Sequence, residues 1–348
     1  MQGKRMPLYP QSRYDCICKP HFGGDEPGTV DPGVIKKVES AGTYLRFYER
    51  KKMTPFVDLL ALRAQMGSAN ENLAGCEIEE TPFLAPLSGR MIPVTRFRIP
   101  GRKKQKAVFF FHGGGFIGGS TGILKNQCRL LAEQSEASVF SVDYRLAPEA
   151  PFPAALEDCR GIVEWAYAHA QELSIDREKI VTAGDSAGGN LSLALALTET
   201  GEKVALVMTV YGALDLSFDE DTGYWDYGRY EMKPEHENYI YTRLNRFRDL
   251  NDTIQQLYVL NGEDVKRPDI SPLYAENFQH LSKVLMIEAE YDYFRLSNDR
   301  FAEKLKKAGV PCQVIRYQGM DHGFYDRLGT AGQAEDAISE MAERVKAL

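Results

Sequence analysis

Apolar and polar positions form two kinds of pattern along this chain, short apolar runs and amphipathic stretches, and together they predict its secondary structure. From about residue 76 onward, short and continuous apolar runs recur, as expected for β-strands buried on both faces of a sheet. The predicted strands are 76–83, 91–98, 107–112, 138–142, 180–183, 205–211, 284–288 and 313–317. Amphipathic stretches typical of helices lie between and after them. The predicted helices are 124–134, 154–173, 187–197, 297–308 and 334–346.

This alternation predicts an α/β fold with a mostly parallel, eight-stranded sheet and helices on both of its faces. The first two strands are the exception, because Pro86 and Gly89 between them indicate an antiparallel hairpin.

Two segments fall outside the alternation. Residues 1–75 begin with a Gly- and Pro-rich arm and continue with a helical pattern over 34–65. Residues 212–280 form a long insertion, and a connection of that length inside a compact domain usually carries structure or a function of its own. Aromatic residues crowd its middle, interleaved with charged ones. They are Tyr224, Trp225, Tyr227, Tyr230, Tyr239 and Tyr241.

The composition mainly excludes classes of function. The 348 residues carry 42 basic and 49 acidic side chains, a net charge of −7, which argues against a dedicated nucleic-acid-binding protein. No apolar run approaches the ~20 residues of a membrane-spanning helix. The basic N-terminus is not followed by the apolar stretch of a secretory signal. We therefore expect no nucleic-acid partner, no membrane span and a cytoplasmic location.

The six cysteines are ordinary usage for a chain of this length in a reducing compartment. Cys128 and Cys159 fall in helical patterns and are expected to be buried thiols. Cys16, Cys18 and His21 suggest a metal site, but no fourth ligand has suitable spacing. We expect a mobile N-terminal arm there and no metal.

The strongest local motif is GDSAGG at residues 184–189. It follows a predicted strand and opens a predicted helix, which is the context of a nucleophilic serine held at a sharp turn. The turn brings its flanks close together, so only glycine fits at Gly184 and Gly188. Ser186 is then presented at the tip, and the N-terminus of the helix lies beside a developing oxyanion. A chance Gly/Ser turn is the alternative, against which the flanking elements argue.

A second motif, HGGGF at residues 112–116, comes directly after a predicted strand. Consecutive glycines leave backbone N–H groups uncovered, so Gly113 and Gly114 are predicted to donate to an oxyanion together with Ala187. A phosphate-binding loop is the alternative, but neither a Walker lysine nor a G-x-G-x-x-G spacing follows. His112 is expected to hold the loop through hydrogen bonds, since the catalytic base must follow the acid in chain order.

The base and the acid are expected after the late strands. His322 is the last histidine of the chain and follows the last predicted strand, so it is the predicted base. Asp292 is the preferred acid, because it lies in the loop after a strand and before a helix, although Glu288 and Glu290 compete with it. The Asp321 side chain should diverge from the neighbouring imidazole. The histidine would take the serine proton, and the aspartate would hold the histidine tautomer.

A third motif, DYRLAPE at residues 143–149, is interpreted as structural. Asp143, Arg145 and Glu149 are expected to form a charged network beside the site. Pro153 suits the first turn of the helix that follows.

Together, HGGGF, DYRLAPE with the PFPAAL after it, GDSAGGN and the late aspartate with HGF resemble the hormone-sensitive-lipase-like family of α/β-hydrolases. The resemblance covers residues 76–348, and Ser271-Pro272-Leu273 is similar to the S-P segment that ends the family's insertion. It implies an α/β-hydrolase fold with a helical cap, and hydrolysis of carboxylic esters, mostly of short acyl chains, without a cofactor. The long N-terminal arm and the Tyr-rich insertion depart from the family pattern and leave the substrate open.

The resemblance also implies a division of the chain. The expected parts are an arm with cap helices at 1–75, a first core part at 76–211, a cap insertion at 212–280 and a second core part at 281–348. It assigns the triad and the oxyanion donors to the same residues as the motifs do. Because dimers are common among such proteins, a homodimer is a further expectation.

The aromatic cluster of the insertion has two interpretations, a substrate pocket or the core of the cap, and the cap core is favoured. The residues expected to contact substrate are Phe116, Asp185, Tyr211, Tyr224 and Trp225. A mixed polar and aromatic cap argues against a long-chain lipase. Its acidic residues argue against a strongly anionic substrate.

The leading hypothesis is a serine carboxylesterase for small acetyl-type esters, with acetylated sugars as one class of substrate. An amidase or peptidase would use the same residues on the same scaffold and stays open. A non-catalytic small-molecule receptor is disfavoured, because such receptors tend to lose a member of the triad and this chain has all three.

Overall fold

Nine strands build one sheet in the computed structural model, which describes residues 14–20, 28–41, 58–217, 223–260 and 262–348. The strands are β1 Cys16–Lys19, β2 Glu79–Leu87, β3 Arg90–Arg98, β4 Gln105–Phe111, β5 Ser138–Val142, β6 Ile175–Asp185, β7 Leu206–Val210, β8 Val284–Tyr291 and β9 Cys312–Asp321. Their order across the sheet is β1-β9-β8-β7-β6-β4-β5-β3-β2. All neighbours are parallel except the pairs that involve β3.

Eight α-helices lie within the described residues. They are α1 Pro32–Ala41, α2 Leu59–Ala64, α3 Thr121–Ser135, α4 Ala154–Ala168, α5 Ala187–Ala196, α6 Glu237–Tyr258, α7 Arg295–Lys307 and α8 Gly332–Lys346. Short 3₁₀ turns lie at Glu199–Lys203, Tyr227–Arg229, Pro272–Tyr274 and Tyr325–Arg327. The predicted α/β architecture with a mostly parallel sheet is confirmed.

Alternating side chains of the strands feed two apolar cores, one on each face of the sheet. In β4, Phe109 and Phe111 point to the core under α4, α5 and α7, whereas Val108 and Phe110 point to the core under α3 and α8. Every residue of β5 and β7 is buried. Continuous apolar runs therefore predict these strands because both faces of the sheet are covered.

The predicted hairpin is formed by β2 and β3, which pair antiparallel with Leu87 opposite Arg90. Gly89 lies in the two-residue turn with a φ of 74°, a conformation that favours glycine. Pro86 lies inside β2, which is the edge strand of the sheet, so its missing N–H costs no ladder hydrogen bond.

The strand count is the main correction to the fold expected from sequence. The N-terminal arm was expected to be mobile, but its residues 16–19 form β1, which pairs in parallel with β9 and brings Cys16 opposite Val314. His21 lies outside the described residues, and no group of three metal-ligating side chains occurs among the described ones. Within the residues that the structure describes, the sheet therefore has nine strands instead of eight.

A buried charge network holds β1 against the sheet. The Arg316 guanidinium donates to Glu288 at 2.8 Å and to the hydroxyl of Tyr14 at 2.8 Å, and it also contacts Asp299. Tyr14 donates in turn to Asp299. These partners are up to 302 positions apart in the chain, so a pattern of neighbouring residues could not predict β1.

The sequence predicts a helical pattern over 34–65. The structure has α1 at the start of this range and α2 at its end, and residues 42–57 lie outside the described residues. A third, smaller apolar cluster joins α1 to α6 and to the start of α7. It contains Val30, Val34, Tyr230, Ile240, Leu244, Tyr291 and Leu296. The division of the chain into cap and core segments stays a prediction.

None of the helices in the described part of the chain is long and apolar enough to cross a bilayer.

Replacing Arg316 with methionine should strongly destabilise the fold. The substitution leaves Glu288 buried without its counter-charge, which typically costs about 3–5 kcal/mol. The free energy of unfolding from urea titration measures this loss. The double variant Arg316→Met/Glu288→Gln should recover part of it, because the uncompensated carboxylate is gone.

Arg177→Met is the control, because Arg177 is exposed and its contacts are an ion pair with its neighbour Glu178 and a surface contact with the ring of Tyr167. Its effect should stay within about 0.5 kcal/mol. Equal losses in the Arg316 and Arg177 variants would contradict the role of the buried network.

Candidate active site

Ser186 sits on a sharp turn between β6 and α5. Its φ of 51° and ψ of −114° are far from helix or strand values, so the side chain is held at the tip of the turn. A Cβ at Gly184 would lie 2.4 Å from the carbonyl carbon of Gly188. A Cβ at Gly188 would lie 1.8 Å from the Phe111 carbonyl oxygen. The turn can therefore exist only with glycine at both positions.

His322 connects Ser186 with Asp292. Its Nε2 lies 2.9 Å from Ser186 Oγ, and its Nδ1 lies 2.7 Å from Asp292 Oδ2. The three residues follow the ends of β6, β8 and β9, and the carboxyl ends of neighbouring parallel strands lie at one edge of the sheet. The N–H of Phe294 donates to Asp292 Oδ1 at 2.9 Å, so both carboxylate oxygens are held. The arrangement allows proton transfer from a serine hydroxyl to an imidazole with a fixed orientation.

The other acids near His322 have different partners. Glu288 pairs with Arg316, and the Gly319 N–H donates to Glu290 at 2.8 Å. Asp321 accepts from Arg243 at 2.5 Å and from Arg327 at 2.6 Å. Although burial alone would raise it, these guanidiniums hold the pKa of Asp321 far below its usual range. Asp292 is therefore the one of these four carboxylates that contacts the imidazole.

Aromatic rings surround the His322 imidazole. The ring centroid of Phe247 lies 4.1 Å away, that of Tyr211 4.5 Å and that of Phe294 5.6 Å. His322 is 5% exposed and Asp292 is 1% exposed. The packing fixes the ring and excludes water from the histidine–aspartate contact, which strengthens it electrostatically.

The glycine loop after β4 faces Ser186, but its first N–H is engaged. Gly113 donates to Asp185 Oδ1 at 2.7 Å, and a Cβ at this position would meet the same carboxylate. In the part of the chain that the structure describes, the N–H groups of Gly114, Gly115 and Ala187 have no hydrogen-bond partner. The expectation that Gly113 donates to an oxyanion therefore conflicts with its contact to Asp185, which the motif alone did not reveal.

His112 lies behind the glycine loop. Its Nδ1 is 2.8 Å from the Gly113 carbonyl oxygen, and its ring stacks on Tyr144 at 4.3 Å. Burial lowers the pKa of His112. The residue thus holds the loop, as the sequence predicts.

A cavity of about 650 Å³ opens in front of Ser186, a volume typical of sites for small molecules. Asp185 and Tyr211, two of the five residues expected to contact substrate, line it.

Phe116, Tyr224 and Trp225 are not among the residues that line this cavity. Phe116 is buried and stacks on Tyr258 at 4.0 Å. The hydroxyl of Tyr224 donates to Asp215 at 2.8 Å, and Nε1 of Trp225 donates to the Tyr293 carbonyl at 2.9 Å. The structure thus places these rings in packing contacts, in line with the cap-core interpretation of the aromatic cluster.

Sequence reasoning missed most of the lining on the side opposite the sheet. Lys37 and Val38 come from α1, Leu62 from α2, and Met66 from the turn after α2. From α6 come Arg243, Arg246, Phe247 and Leu250, a spacing that marks one helical face. The sequence contains this i, i+3, i+4, i+7 spacing, which is typical of one face of an amphipathic helix.

The DYRLAPE motif does not form the single network that was expected. Asp143 accepts from the Thr121 N–H at 2.7 Å, Arg145 pairs with Asp158 at 2.9 Å, and Glu149 pairs with Arg63 at 2.7 Å. The three side chains point to different elements because each finds a partner that is remote in sequence. Their common effect is to fasten the loop after β5.

Comparisons with known proteins agree with this geometry. A family model described as alpha/beta hydrolase fold matches residues 108–326. An arylesterase of Saccharolobus solfataricus is 32% identical over 261 residues, which cover 73% of this chain and 79% of that protein. An acetyl esterase of Salmonella choleraesuis is 30% identical over 71% of this chain and 74% of its own. The solved structure of a Pyrobaculum calidifontis esterase superposes with a TM-score of 0.68 at 30% identity, over 83% and 88% of the two chains.

A serine-directed aryl phosphonate should label this protein at Ser186. The hydroxyl attacks phosphorus, the phenolate leaves, and His322 takes the serine proton. Intact-mass and peptide mass spectrometry measure the adduct. Ser186→Ala should abolish labelling, whereas Ser192→Ala should be labelled normally, because Ser192 lies on the same helix and bonds only to the Gly188 carbonyl. Labelling at another residue would argue against Ser186 as the nucleophile.

Proposed function

Because the chain belongs to the hormone-sensitive-lipase-like family of α/β-hydrolases, we propose that it hydrolyses carboxylic esters with Ser186 as the nucleophile. The observation that supports this most directly is the position of His322, within hydrogen-bond distance of both Ser186 and Asp292. An acid, a base and a hydroxyl in this relation form the apparatus of acyl transfer.

In the proposed reaction, Ser186 Oγ attacks the ester carbonyl while His322 Nε2 accepts its proton. Asp292 orients the ring through Nδ1 and stabilises the imidazolium. The tetrahedral intermediate collapses, His322 gives the proton to the leaving alcohol, and an acyl-enzyme remains. A water molecule then repeats the sequence and releases the carboxylic acid.

The oxyanion would be held by the N–H groups of Gly114, Gly115 and Ala187. Gly115 thus takes the place that was predicted for Gly113 from the sequence. This assignment rests on the hydrogen bond that occupies the Gly113 N–H. Removing one such donor typically costs about 3–4 kcal/mol in the transition state. Asp185 has an indirect part, because it sets the position of the loop.

Short acyl chains, acetyl above all, are the proposed substrates. Arg243, Arg246 and Asp249 among the lining residues make the cavity unsuited to a long hydrocarbon chain. Acetyl esterases and an arylesterase are among the similar proteins. Acetylated sugars and other small acetate esters therefore fit the proposal. The helices α1, α2 and α6, which line the cavity opposite the sheet, would form the cap.

Amide hydrolysis stays a second candidate, because the same residues would carry it. A non-catalytic receptor is disfavoured by the contact of His322 with both of its partners. A cytoplasmic location and a homodimer stay predictions, and the six free thiols are compatible with a reducing compartment.

Purified protein should hydrolyse nitrophenyl acetate, and both Ser186→Ala and His322→Ala should lower kcat by roughly 10⁴-fold or more, because the two residues act as a unit. Matched acetyl ester and acetyl anilide substrates separate the candidates in steady-state assays. A higher kcat/KM for the anilide would overturn the esterase proposal. Full turnover by Ser186→Ala, with Ser192→Ala as the control, would overturn the mechanism.

Asp185 offers a test of the oxyanion loop. In Asp185→Ala the Gly113 N–H loses its acceptor, and a misplaced loop should lower kcat by roughly 10²-fold with little change in KM. Burial raises the pKa of Asp185, which favours the neutral acid. Asp185→Asn, which is also neutral and keeps an acceptor oxygen, should therefore stay within about tenfold of the wild type. Equal losses in both variants would contradict a role through this hydrogen bond.

A further inference from the structure

Cations concentrate at the histidine end of the cavity. Lys37 from α1 and Arg243 and Arg246 from α6 all line it. Of the acidic residues of the insertion, on which the expectation against an anionic substrate rested, Asp249 lines the cavity. The acidic residues interleaved with the aromatic cluster are not among the lining residues; they are Asp226, Glu231, Glu235 and Glu237. The electrostatic character of the site is therefore set largely by other groups than the sequence suggested.

One of these cations, Arg243, already has a carboxylate partner. Arg243 and Arg327 bind the two oxygens of the buried Asp321, at 2.5 and 2.6 Å. Arg243 also donates to the His322 carbonyl at 3.2 Å. This arrangement braces the histidine segment and gives each oxygen of Asp321 a guanidinium partner.

Lys37 and Arg246 differ from Arg243 because they lack such a partner in the part of the chain that the structure describes. Among the described residues, neither side chain has a hydrogen bond or an ion pair within 4 Å. Burial lowers the pKa of Lys37 to about 8, as expected for an ammonium that has lost water without gaining a partner. Bringing an anion to such a group recovers the lost stabilisation.

The balance of charge around Lys37 also favours an anion. The groups that face it are Asp321, Arg243, Arg327 and Asp326. Lys37, Arg243 and Arg327 are thus three cations near two carboxylates, Asp321 and Asp326. Asp249 also lines the cavity and lies one helical turn beyond Arg246. Both guanidiniums pair with Asp321, whereas the ammonium of Lys37 has no ion pair among the described residues.

The position of these cations indicates which part of an ester they would meet. In acyl transfer the leaving oxygen lies next to the histidine that protonates it. Arg243 is bonded to the His322 backbone, and Asp326, which faces Lys37, also interacts electrostatically with His322. Lys37 thus lies near the groups that adjoin His322, which is the side from which the leaving alcohol would be protonated.

We propose that Lys37 binds a carboxylate carried by the alcohol portion of the ester substrate. Lys37 is then a specificity-determining residue, and the substrate class is an acetate ester of a hydroxy-acid. This inference rests on the proposed ester hydrolysis.

The test compares 3-acetoxybenzoate with the neutral and nearly isosteric 3-acetoxybenzamide. The kcat/KM ratio of the two esters, divided by the ratio of their uncatalysed hydrolysis rates, should be about tenfold or more in the wild type, as for one charge-assisted contact. Lys37→Met should bring the ratio near one, and Lys37→Arg should keep most of it. Lys36→Met is the matched control, because Lys36 is the exposed neighbour on α1, and its ratio should be unchanged.

A pH profile gives an independent readout. The anionic advantage in kcat/KM should be full below about pH 8 and should fall above it, because Lys37 loses its proton as the pH rises through its pKa. In Lys37→Arg the advantage should persist to higher pH.

The outcomes separate this inference from the proposed function. If neither ester is turned over, ester hydrolysis itself is wrong. If both are turned over with a corrected ratio near one in the wild type, or with an equal loss in the Lys36 and Lys37 variants, the inference is overturned and the esterase proposal stands. A preference only for carboxylates on the acyl portion would also overturn it.

Discussion

The close approach of the β4 end to the turn between β6 and α5 is the constraint on which the rest of the site depends. The Phe111 carbonyl lies where a side chain of residue 188 would be, so this turn can form only around glycine. The same contact brings the glycine loop next to Ser186. Asp185, the residue before the serine, binds the Gly113 N–H and couples the two segments. Ser186 and the glycine loop are thus positioned by one set of contacts.

Two buried aspartates near His322 have different roles because they have different partners. Asp292 and Asp321 are both buried carboxylates near the same histidine. Asp292 contacts the imidazole, whereas Asp321 is held by two guanidiniums and serves to brace α6 against the end of β9. Because each carboxylate has its own partners, the histidine has one acid to orient it.

The helices that close the cavity are supported differently from the sheet. Sheet residues are covered on both faces, whereas α1 and α6 meet over a small cluster that includes Val34 and Leu244. Their inner surfaces carry charged groups, and Lys37 is among them. In the proposed esterase, the sheet edge would carry the chemistry, and the separate, charged face of α1 and α6 would set the choice of substrate.

The sequence by itself determined the alternation of strands and helices, the antiparallel hairpin and the serine turn, because each depends on residues close together in the chain. It also predicted Ser186, Asp292 and His322 as a triad, and the structure brings these three side chains within hydrogen-bond distance. The tertiary structure alone decided that Cys16–Lys19 is a ninth strand, that the Gly113 N–H is occupied, and that Lys37 faces the cavity. These features arise from contacts between residues tens to hundreds of positions apart, which leave no local pattern to read.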